Sequence, residues 1–317
     1  MQKLTEPRFY IGHAVSEKIR YKSSSGGIGT ALIKYLMQTG KYGTCLTFKF
    51  NETTSKYEPL MIHSFEDYNI CGSIYQDTDT VKFVRDNLDE IKSGIIITCL
   101  PCQVGVIRHI LNQHNIKSFI ISFCCSGQMK VQGTWCYYKF LGIKKKSVVN
   151  LQYRGNGWPS GIQITLKNGT IIKRKNWSYP WNLIHQSLLF RPKRCLSCSF
   201  KTVSICDVSL ADPWLKEYET DTIGNTLVIV NSIQGAMVIE NMMYNNNISC
   251  VTSDEATYIR SQKGTIESKK ENKNRLRYNK MISVLASSPT YMFIVTIHPL
   301  LMKLHNRLMS KISLYLQ

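Results

Sequence analysis

Cysteine is the residue type that offers the most chemistry in this sequence, because eleven cysteines occur in 317 residues. In a reducing compartment, disulfides explain such a number poorly, and thiolates that bind a metal or react explain it better. The clearest spacing is Cys195-x-x-Cys198, with Cys206 further along the same loop. Two thiolates at this spacing chelate a zinc ion or an iron–sulfur cluster from a single turn. One pair does not complete a four-cysteine site, so further ligands are expected from elsewhere in the chain.

Two other pairs of cysteines follow short apolar runs. The run GIIITC predicts a strand buried on both faces, Pro101 suits the first turn of a helix, and SFIISF predicts the next buried strand. A strand, helix, strand order is a βαβ unit with parallel strands. Cys99 and Cys102 then lie at the carboxyl end of the first strand, and Cys124 and Cys125 at that of the second. All four are expected at one edge of the sheet, where open α/β sheets bind ligands.

The local environments of the thiols predict different roles. Cys102 lies at the amino end of the predicted helix, where backbone N–H groups and the helix dipole lower the pKa of a thiol and prepare it to bind a metal. Cys99 lies on the strand side and is expected to pack or to be a spare thiol. Single cysteines in apolar or mixed patterns are expected to behave as small hydrophobic residues, namely Cys45, Cys71, Cys136 and Cys250.

A small-residue loop, SSSGGIGTAL, opens another predicted helix. Hydroxyls and bare backbone N–H groups at such a point form an anion site, and glycine permits close approach of a ligand. The loop is neither a P-loop nor a full dinucleotide fingerprint, since Leu32 stands where the last glycine would be, and an ordinary capped helix start fits equally well. Asp207 and Asp212 are open to two interpretations, cofactor contacts or turn residues. We find no HxxxH pair, no GxSxG elbow and no pair of carboxylates in an acid and base context.

The positions of these residues imply an α/β amino-terminal domain with parallel βαβ units over residues 9–145. An α+β domain with hairpins, which carries the CxxC pair, is predicted over 146–260, where Asn168-Gly169 marks a two-residue turn. A basic linker and a helical carboxy-terminal tail complete the chain over 261–317. For the amphipathic stretch from Tyr291 to Leu316, a packed terminal helix is favoured over a membrane-surface helix.

Charge and hydropathy restrict the class of partner and the compartment. The net charge of +19 indicates anionic partners without choosing among them, and a solvated lysine-rich surface is the alternative. No run approaches the ~20 apolar residues of a spanning helix, and the amino end lacks the apolar core of a secretory signal. We therefore expect a cytoplasmic protein with no transmembrane segment.

Four ordered stretches resemble the beta subunit of coenzyme F420 hydrogenase/dehydrogenase over roughly residues 9–285. They are SSSGGIGTALIKYLMQTGKYG, YQDTDTVKFVRDNLDEIKSGIIITCLPCQVGVIRHIL, FCCSGQMKVQGTWCYYKFLG and RPKRCLSCSFKTVSICDVSLADPWL. The resemblance implies FAD beside a four-iron four-sulfur cluster, with coenzyme F420 as a further, less favoured cofactor. It implies the cluster ligands Cys102, Cys125, Cys195 and Cys198. It names no catalytic residue, and it implies cofactor contacts at Ser24, Ser25, Gly26, Gly27, Gln76, Pro101 and Gln103.

Three departures from the family pattern bear on activity. Many members begin with a ferredoxin-like CxxCxxC run, which the sequence before Phe9 lacks. The histidine expected after Cys125 is Ser126, and the glycine expected before Asp212 is Ala211. Such short members occur with polysaccharide biosynthesis genes.

The resulting hypothesis is a flavin- and iron–sulfur-dependent oxidoreductase that relays electrons between a ferredoxin-type donor and a small-molecule substrate. A zinc-stabilised, non-catalytic binding or scaffold protein, with Cys195, Cys198 and Cys206 around the metal, is the alternative. No nucleic-acid partner is expected, because no groove-reading motif accompanies the charge, and a homo-oligomer is left open.

Overall fold

The computed structural model describes residues 2–199, 205–270 and 273–315. The strands are β1 (Lys3–Ala14), β2 (Thr44–Asn51), β3 (Lys56–Ile62), β4 (Ile95–Thr98), β5 (Ser118–Phe123), β6 (Val148–Gln152), β7 (Gly161–Leu166), β8 (Ile171–Lys175), β9 (Val208–Ala211), β10 (Thr226–Ser232) and β11 (Ile248–Ser253). The helices are α1 (Glu17–Lys22), α2 (Ile28–Gln38), α3 (Thr80–Asp86), α4 (Pro101–Gln113), α5 (Val131–Phe140), α6 (Trp181–Gln186), α7 (Lys193–Leu196), α8 (Ile233–Tyr244), α9 (Glu255–Ser261), α10 (Lys263–Ser268), α11 (Lys273–Ser287), α12 (Pro289–Ile297) and α13 (Pro299–Tyr315).

The main sheet has eight strands in the order β11-β1-β10-β9-β5-β4-β2-β3. Its centre is parallel, since β2 pairs with β4, β4 with β5 and β5 with β9 in parallel. The outer pairs are antiparallel. The predicted βαβ unit is confirmed, because β4 and β5 are adjacent and parallel and α4 connects them.

Apolar helices cover both faces of this sheet. Val104, Ile107 and Leu111 of α4 are fully buried, in one core with Ile95 and Ile97 of β4. Burial of each such side chain stabilises the folded protein by about 1.5–3 kcal/mol relative to leaving it in water. On the other face of the sheet, α2 and α8 pack in a separate core against the strand side chains that point to that face. The sheet is therefore a rigid frame for the strand ends that carry cysteines.

A second, smaller sheet contains β6, β7 and β8, all antiparallel. The predicted hairpin at Asn168-Gly169 joins β7 to β8, but the connection is longer than the two residues expected, because the backbone N–H of Leu166 donates to the Thr170 carbonyl at 2.9 Å. Gly169 has a positive φ of 82° and Asn168 does not, whereas a two-residue type I′ turn requires a positive φ at both residues. An aromatic core holds this sheet against the rest of the protein. Trp181, fully buried in that core, lies 5.2 Å from the ring centroid of Tyr137 and 5.5 Å from that of Tyr153.

The fold is mixed α/β with a helical carboxy-terminal tail, and in these general terms the predicted fold class is confirmed. The main sheet crosses the boundary predicted between residues 145 and 146, because β9, β10 and β11 join the strands of 3–123. Among the described strands of the second predicted segment, β6 to β8 form a sheet of their own. The division into 9–145, 146–260 and 261–317 stays a prediction.

The carboxy-terminal tail consists of α11, α12 and α13. Pro299 separates α12 from α13, as the sequence indicates. No single helix of the described residues is long and apolar enough to cross a membrane. Lys273–Ser287 and Pro289–Ile297 meet that test only as a pair, which is bent by 87°.

Candidate functional site

A cavity of about 550 Å³ opens at the carboxyl ends of β4 and β5, beside the start of α2. This volume lies within the range of small-molecule and cofactor sites. Its walls come from widely separated parts of the chain. Among the residues that line it are Ser24, Ser25, Gly27, Gly72, Gln76, Cys99, Gln103, Cys125, Arg154, Trp177, His185, Asp212 and Trp214.

The serine-glycine loop forms one wall and is held by hydrogen bonds. Gly27 precedes α2 with a φ of 81°, a left-handed conformation that favours glycine. The hydroxyl of Ser24 accepts from the backbone N–H of Ser73, and the Ser25 hydroxyl donates to the carbonyl of Asn225. The loop is thus fixed in place, with the amino end of α2 towards the cavity.

Arg154 ties this loop to two other walls. Its guanidinium donates to the Ser24 carbonyl at 2.6 Å, to the Asp212 carboxylate at 2.6 Å and to the Ser160 hydroxyl at 3.1 Å. Gly72 is needed beside it, because a Cβ at that position would overlap the Arg154 carbonyl oxygen. The buried Arg154 side chain therefore joins three segments that are far apart in sequence.

The two aspartates left open by the sequence have different roles. Asp207 is buried below the sheet, where its carboxylate accepts from the Ile120 backbone at 2.9 Å, Arg108 at 3.0 Å and the Ser232 hydroxyl at 2.7 Å. Asp212 lines the cavity and pairs with Arg154. Asp207 is structural, whereas Asp212 belongs to the candidate site.

Aromatic side chains stand at the cavity. Trp177 and Trp214 are both partly exposed and line it. Trp214 lies 4.7 Å from the ring of Trp158, and Trp177 makes an edge contact of 4.5 Å with His185. Burial, and secondarily the charge of Arg191, lowers the pKa of His185 to about 3, so this imidazole is neutral. The arrangement suits a planar organic molecule.

The four predicted metal ligands come from three segments. Cys102 lies in the first turn of α4, Cys125 follows β5, and Cys195 and Cys198 lie in and just after α7. All four are partly exposed, unlike the buried Cys136. Cys102 lies close enough to Cys195 and Cys198 for their thiolate forms to repel one another, and the same holds for Cys125 with Cys195 and Cys102. The fold thus brings the four thiols into one region beside the cavity.

Three cationic side chains surround these thiols. Lys269 is only 4% exposed, and its ammonium lies 3.6 Å from the sulfur of Cys198. Arg194 interacts with the charges of Cys102 and Cys195, and Arg191 with those of Cys195 and Cys125. Such a set of donors and cations fits a cluster of net negative charge held by thiolates.

The expectation of a lowered pKa for Cys102 is wrong. Burial raises the pKa of this thiol and outweighs the opposing effects of Arg194 and of a backbone hydrogen bond. Burial likewise raises the pKa of Cys125, against the charge of Lys269. Both thiols consequently favour the neutral form, and a metal would have to displace their protons.

The thiols share one region, but their side chains do not lie at the distances of ligands around one metal ion. Within residues 2–199, 205–270 and 273–315, no group of three or more His, Cys, Asp or Glu side chains is close enough to hold a metal ion. Cys206, the third thiol of the alternative zinc set, is fully buried in the core around α4, where its sulfur accepts from Asn231 at 3.4 Å. Part of the predicted cysteine loop, 200–204, lies outside the described residues.

Most of the predicted cofactor contacts line the cavity, namely Ser24, Ser25, Gly27, Gln76 and Gln103, together with Cys125. Gly26 and Pro101 have other surroundings. A Cβ on Gly26 would meet the Thr226 backbone at 2.7 Å, and Pro101 is buried as the first residue of α4. Both are explained by packing, and the described lining includes neither.

Sequence analysis missed four residues at the cavity. Arg154, Trp177 and Trp214 follow strand ends, His185 lies in α6, and none of the four belongs to a recognisable motif. The only signal in the sequence is the run RGNGWP after β6, whose glycines and proline mark an unusual turn. Cys99, interpreted as a packing or spare thiol, is buried in the core and also borders the cavity.

Comparison with known proteins gives two matching family models, both for the beta subunit of coenzyme F420 hydrogenase/dehydrogenase. The model of its N-terminal part matches residues 9–85, and the model of its C terminus matches residues 93–256. A chain in a structure of the F420-reducing [NiFe] hydrogenase complex from Methanosarcina barkeri is similar, with a TM-score of 0.61 and 13% identity over 84% of this chain and 90% of that one. At this identity, the likeness concerns the fold alone. No curated protein matches the sequence.

Proposed function

Because the chain belongs to the coenzyme F420 hydrogenase/dehydrogenase beta subunit family, a family of oxidoreductase subunits, we propose that it is a flavin- and iron–sulfur-dependent electron-transfer enzyme. It would relay electrons between a ferredoxin-type donor and a small organic acceptor in the cytoplasm, within polysaccharide biosynthesis. The observation that carries the proposal is the joint position of four partly buried thiols and a cavity of cofactor size.

Cys102, Cys125, Cys195 and Cys198 are the proposed ligands of a four-iron four-sulfur cluster. When bound, the cluster exchanges single electrons and FAD couples them to two-electron chemistry on the substrate. The protein's own contribution is electrostatic. Arg191, Arg194 and Lys269 lower the cost of gathering four thiolates in a partly desolvated region, because each cation favours the charged form of a nearby thiol.

FAD is the proposed occupant of the cavity. The amino end of α2, after Gly27, offers backbone N–H groups to a pyrophosphate, and Arg154 holds this wall through the Ser24 carbonyl. Trp177 and Trp214 offer flat apolar surface to a ring system and exclude water from it. The neutral His185 beside Trp177 can orient a polar group of the acceptor by hydrogen bonding.

The test is anaerobic purification followed by a visible spectrum and quantification of iron, sulfide, zinc and flavin on one sample. We expect about four irons and about one FAD per chain. Alanine at Cys102, Cys125, Cys195 or Cys198 should each remove most of the iron and its absorbance. Cys250→Ala is the matched control, since Cys250 is also partly exposed but lies on β11 at the far edge of the main sheet.

Full iron content in any one of the four variants would refute that residue's assignment. Stoichiometric zinc without colour would refute the redox proposal as a whole and favour a scaffold role. Loss of iron in Cys250→Ala would show that the assay reports instability and not ligation.

A further inference from the structure

The last helix of the described chain presents an uncovered apolar row. Leu300, Leu304 and Leu308 follow one another at intervals of four along α13, and each is 56–58% exposed. Side chains at this spacing lie on one helix face. Phe293, which precedes them on α12, is also exposed, with Ile294 and Ile297. Apolar surface of this extent on a folded chain marks an interaction site.

The orientation of α13 is determined by its opposite face. Met302 and Met309 are buried, and His305 contacts the Tyr291 hydroxyl at 2.7 Å and the Ser187 carbonyl at 3.3 Å. Asn306 donates to the Leu183 carbonyl at 2.9 Å. Because these contacts fasten the helix to α6 and α12, the leucine row cannot turn inward without breaking them.

A row of cations lies beside the leucines. Lys303, Arg307 and Lys311 also recur at intervals of four, and all are exposed. Over the described residues 273–315 there are seven cations and no Asp or Glu, the cations being Lys273, Arg275, Arg277, Lys280, Lys303, Arg307 and Lys311. The exposed face of α13 is therefore apolar on one side and basic, with no acidic residue, on the other.

We propose that the exposed face of α13 docks this protein onto the surface of an anionic phospholipid membrane. Leucine side chains would enter the boundary of the acyl region, and the cations would contact lipid phosphates, as in helices that lie in the membrane plane. A second copy of the chain is disfavoured as occupant, because a two-fold contact would place the same positive rows against each other. The proposal does not depend on the redox function.

The experiment is co-sedimentation of the full chain with vesicles of phosphatidylcholine alone or mixed equally with phosphatidylglycerol. We expect binding to the mixed vesicles only, weakened by salt. The variant K303Q/R307Q/K311Q should bind roughly a hundredfold more weakly, since each cation contributes about fivefold. K173Q/R174Q/K175Q on β8 removes the same residue types from another exposed site and should keep wild-type binding.

Replacement of the leucines tests the apolar part. L300S/L304S/L308S should lose about tenfold or more in vesicle binding. Its control, M237S/V251S, replaces side chains of similar exposure on α8 and β11 and should bind normally. Unfolding midpoints of all variants should stay near that of the wild type, because every replaced side chain is exposed.

Four results would overturn the proposal. These are no binding to the mixed vesicles, equal binding to both vesicle types, equal losses in the control variants, and wild-type binding by the leucine variant. Concentration-dependent self-association that the leucine variant abolishes, without vesicle binding, would assign the face to a second copy.

Discussion

Arg154 is the residue on which the cavity depends most. Its guanidinium is buried, pairs with Asp212 and donates to two further oxygens from separate segments. Lysine could not replace it, because an ammonium lacks the planar fork that reaches all three partners. Removal of the arginine would leave the Asp212 carboxylate partly buried without its counter-ion.

We therefore expect Arg154→Met to lower the free energy of unfolding by about 3–5 kcal/mol. The double variant R154M/D212N should recover part of this loss, because the uncompensated carboxylate is removed as well. Urea unfolding of the apoprotein measures both. Equal stability of Arg154→Met and the wild type would show that the ion pair contributes nothing to the fold.

At the scale of elements, α4 links the core to the candidate site. Its amino end carries Cys102 and Gln103, and its buried stripe continues into the core beneath the sheet. Movement of this helix would displace Cys102 and part of the cavity wall together. The packing of Ile107 thus affects the site, although this residue does not line it.

Neighbouring residues of α4 allow a matched comparison. Ile107 is fully buried, whereas Val106 is 46% exposed. Ile107→Ala should lower the free energy of unfolding by about 2–5 kcal/mol through the lost contacts and the remaining cavity. Val106→Ala should change it by no more than about 0.5 kcal/mol. Similar effects of the two substitutions in thermal or urea unfolding would contradict the packing described for α4.

At the scale of the whole molecule, one sheet unites the first strand and the last strand of the described chain. β1 lies between β10 and β11, so the strands of the main sheet that come first and last in the chain are direct neighbours. The cavity lies at this sheet's parallel centre, and the aromatic core around Trp181 holds the smaller sheet beside it. Global unfolding and loss of the site should therefore coincide.

The partly buried His185 makes the stability of the whole protein depend on pH. Burial lowers its pKa to about 3 in the folded protein, from an ordinary value of 6.5. Between these values the unfolded chain binds the proton more tightly, so stability falls as the pH decreases below 6.5. When the pH falls from about 7 to about 5, this group alone should lower the free energy of unfolding by about 2 kcal/mol.

The measurement compares urea unfolding of the wild type and His185→Gln at both pH values. The wild type should lose about 2 kcal/mol more than the variant. His63→Gln is the control, because the His63 side chain is 64% exposed, and it should follow the wild type. An identical pH dependence in His185→Gln would refute the contribution of burial.

The sequence by itself determined the local elements and the classes of chemistry. Apolar runs of strand length around a proline-started helix predicted the β4-α4-β5 unit, and hence the common edge of Cys102 and Cys125, because parallel neighbours end at the same side. The hairpin at Asn168-Gly169 was also predicted, because Gly169 readily adopts a positive φ, although its connection is longer than the two residues expected. The CxxC spacing identified Cys195 and Cys198 as a chelating pair, and the resemblance assigned the four cysteines to one cluster.

Only the tertiary structure decided which distant segments meet. Arg154, Trp177 and Trp214 reach the cavity from segments that follow strands, and His185 from α6, through long-range contacts that no local pattern encodes. The alternation of a strand shows which side chains are buried but not which sheet the strand joins, so β9 to β11 could not be placed in the main sheet. Burial likewise reversed the expected pKa shift of Cys102, because desolvation depends on the neighbours that the fold supplies.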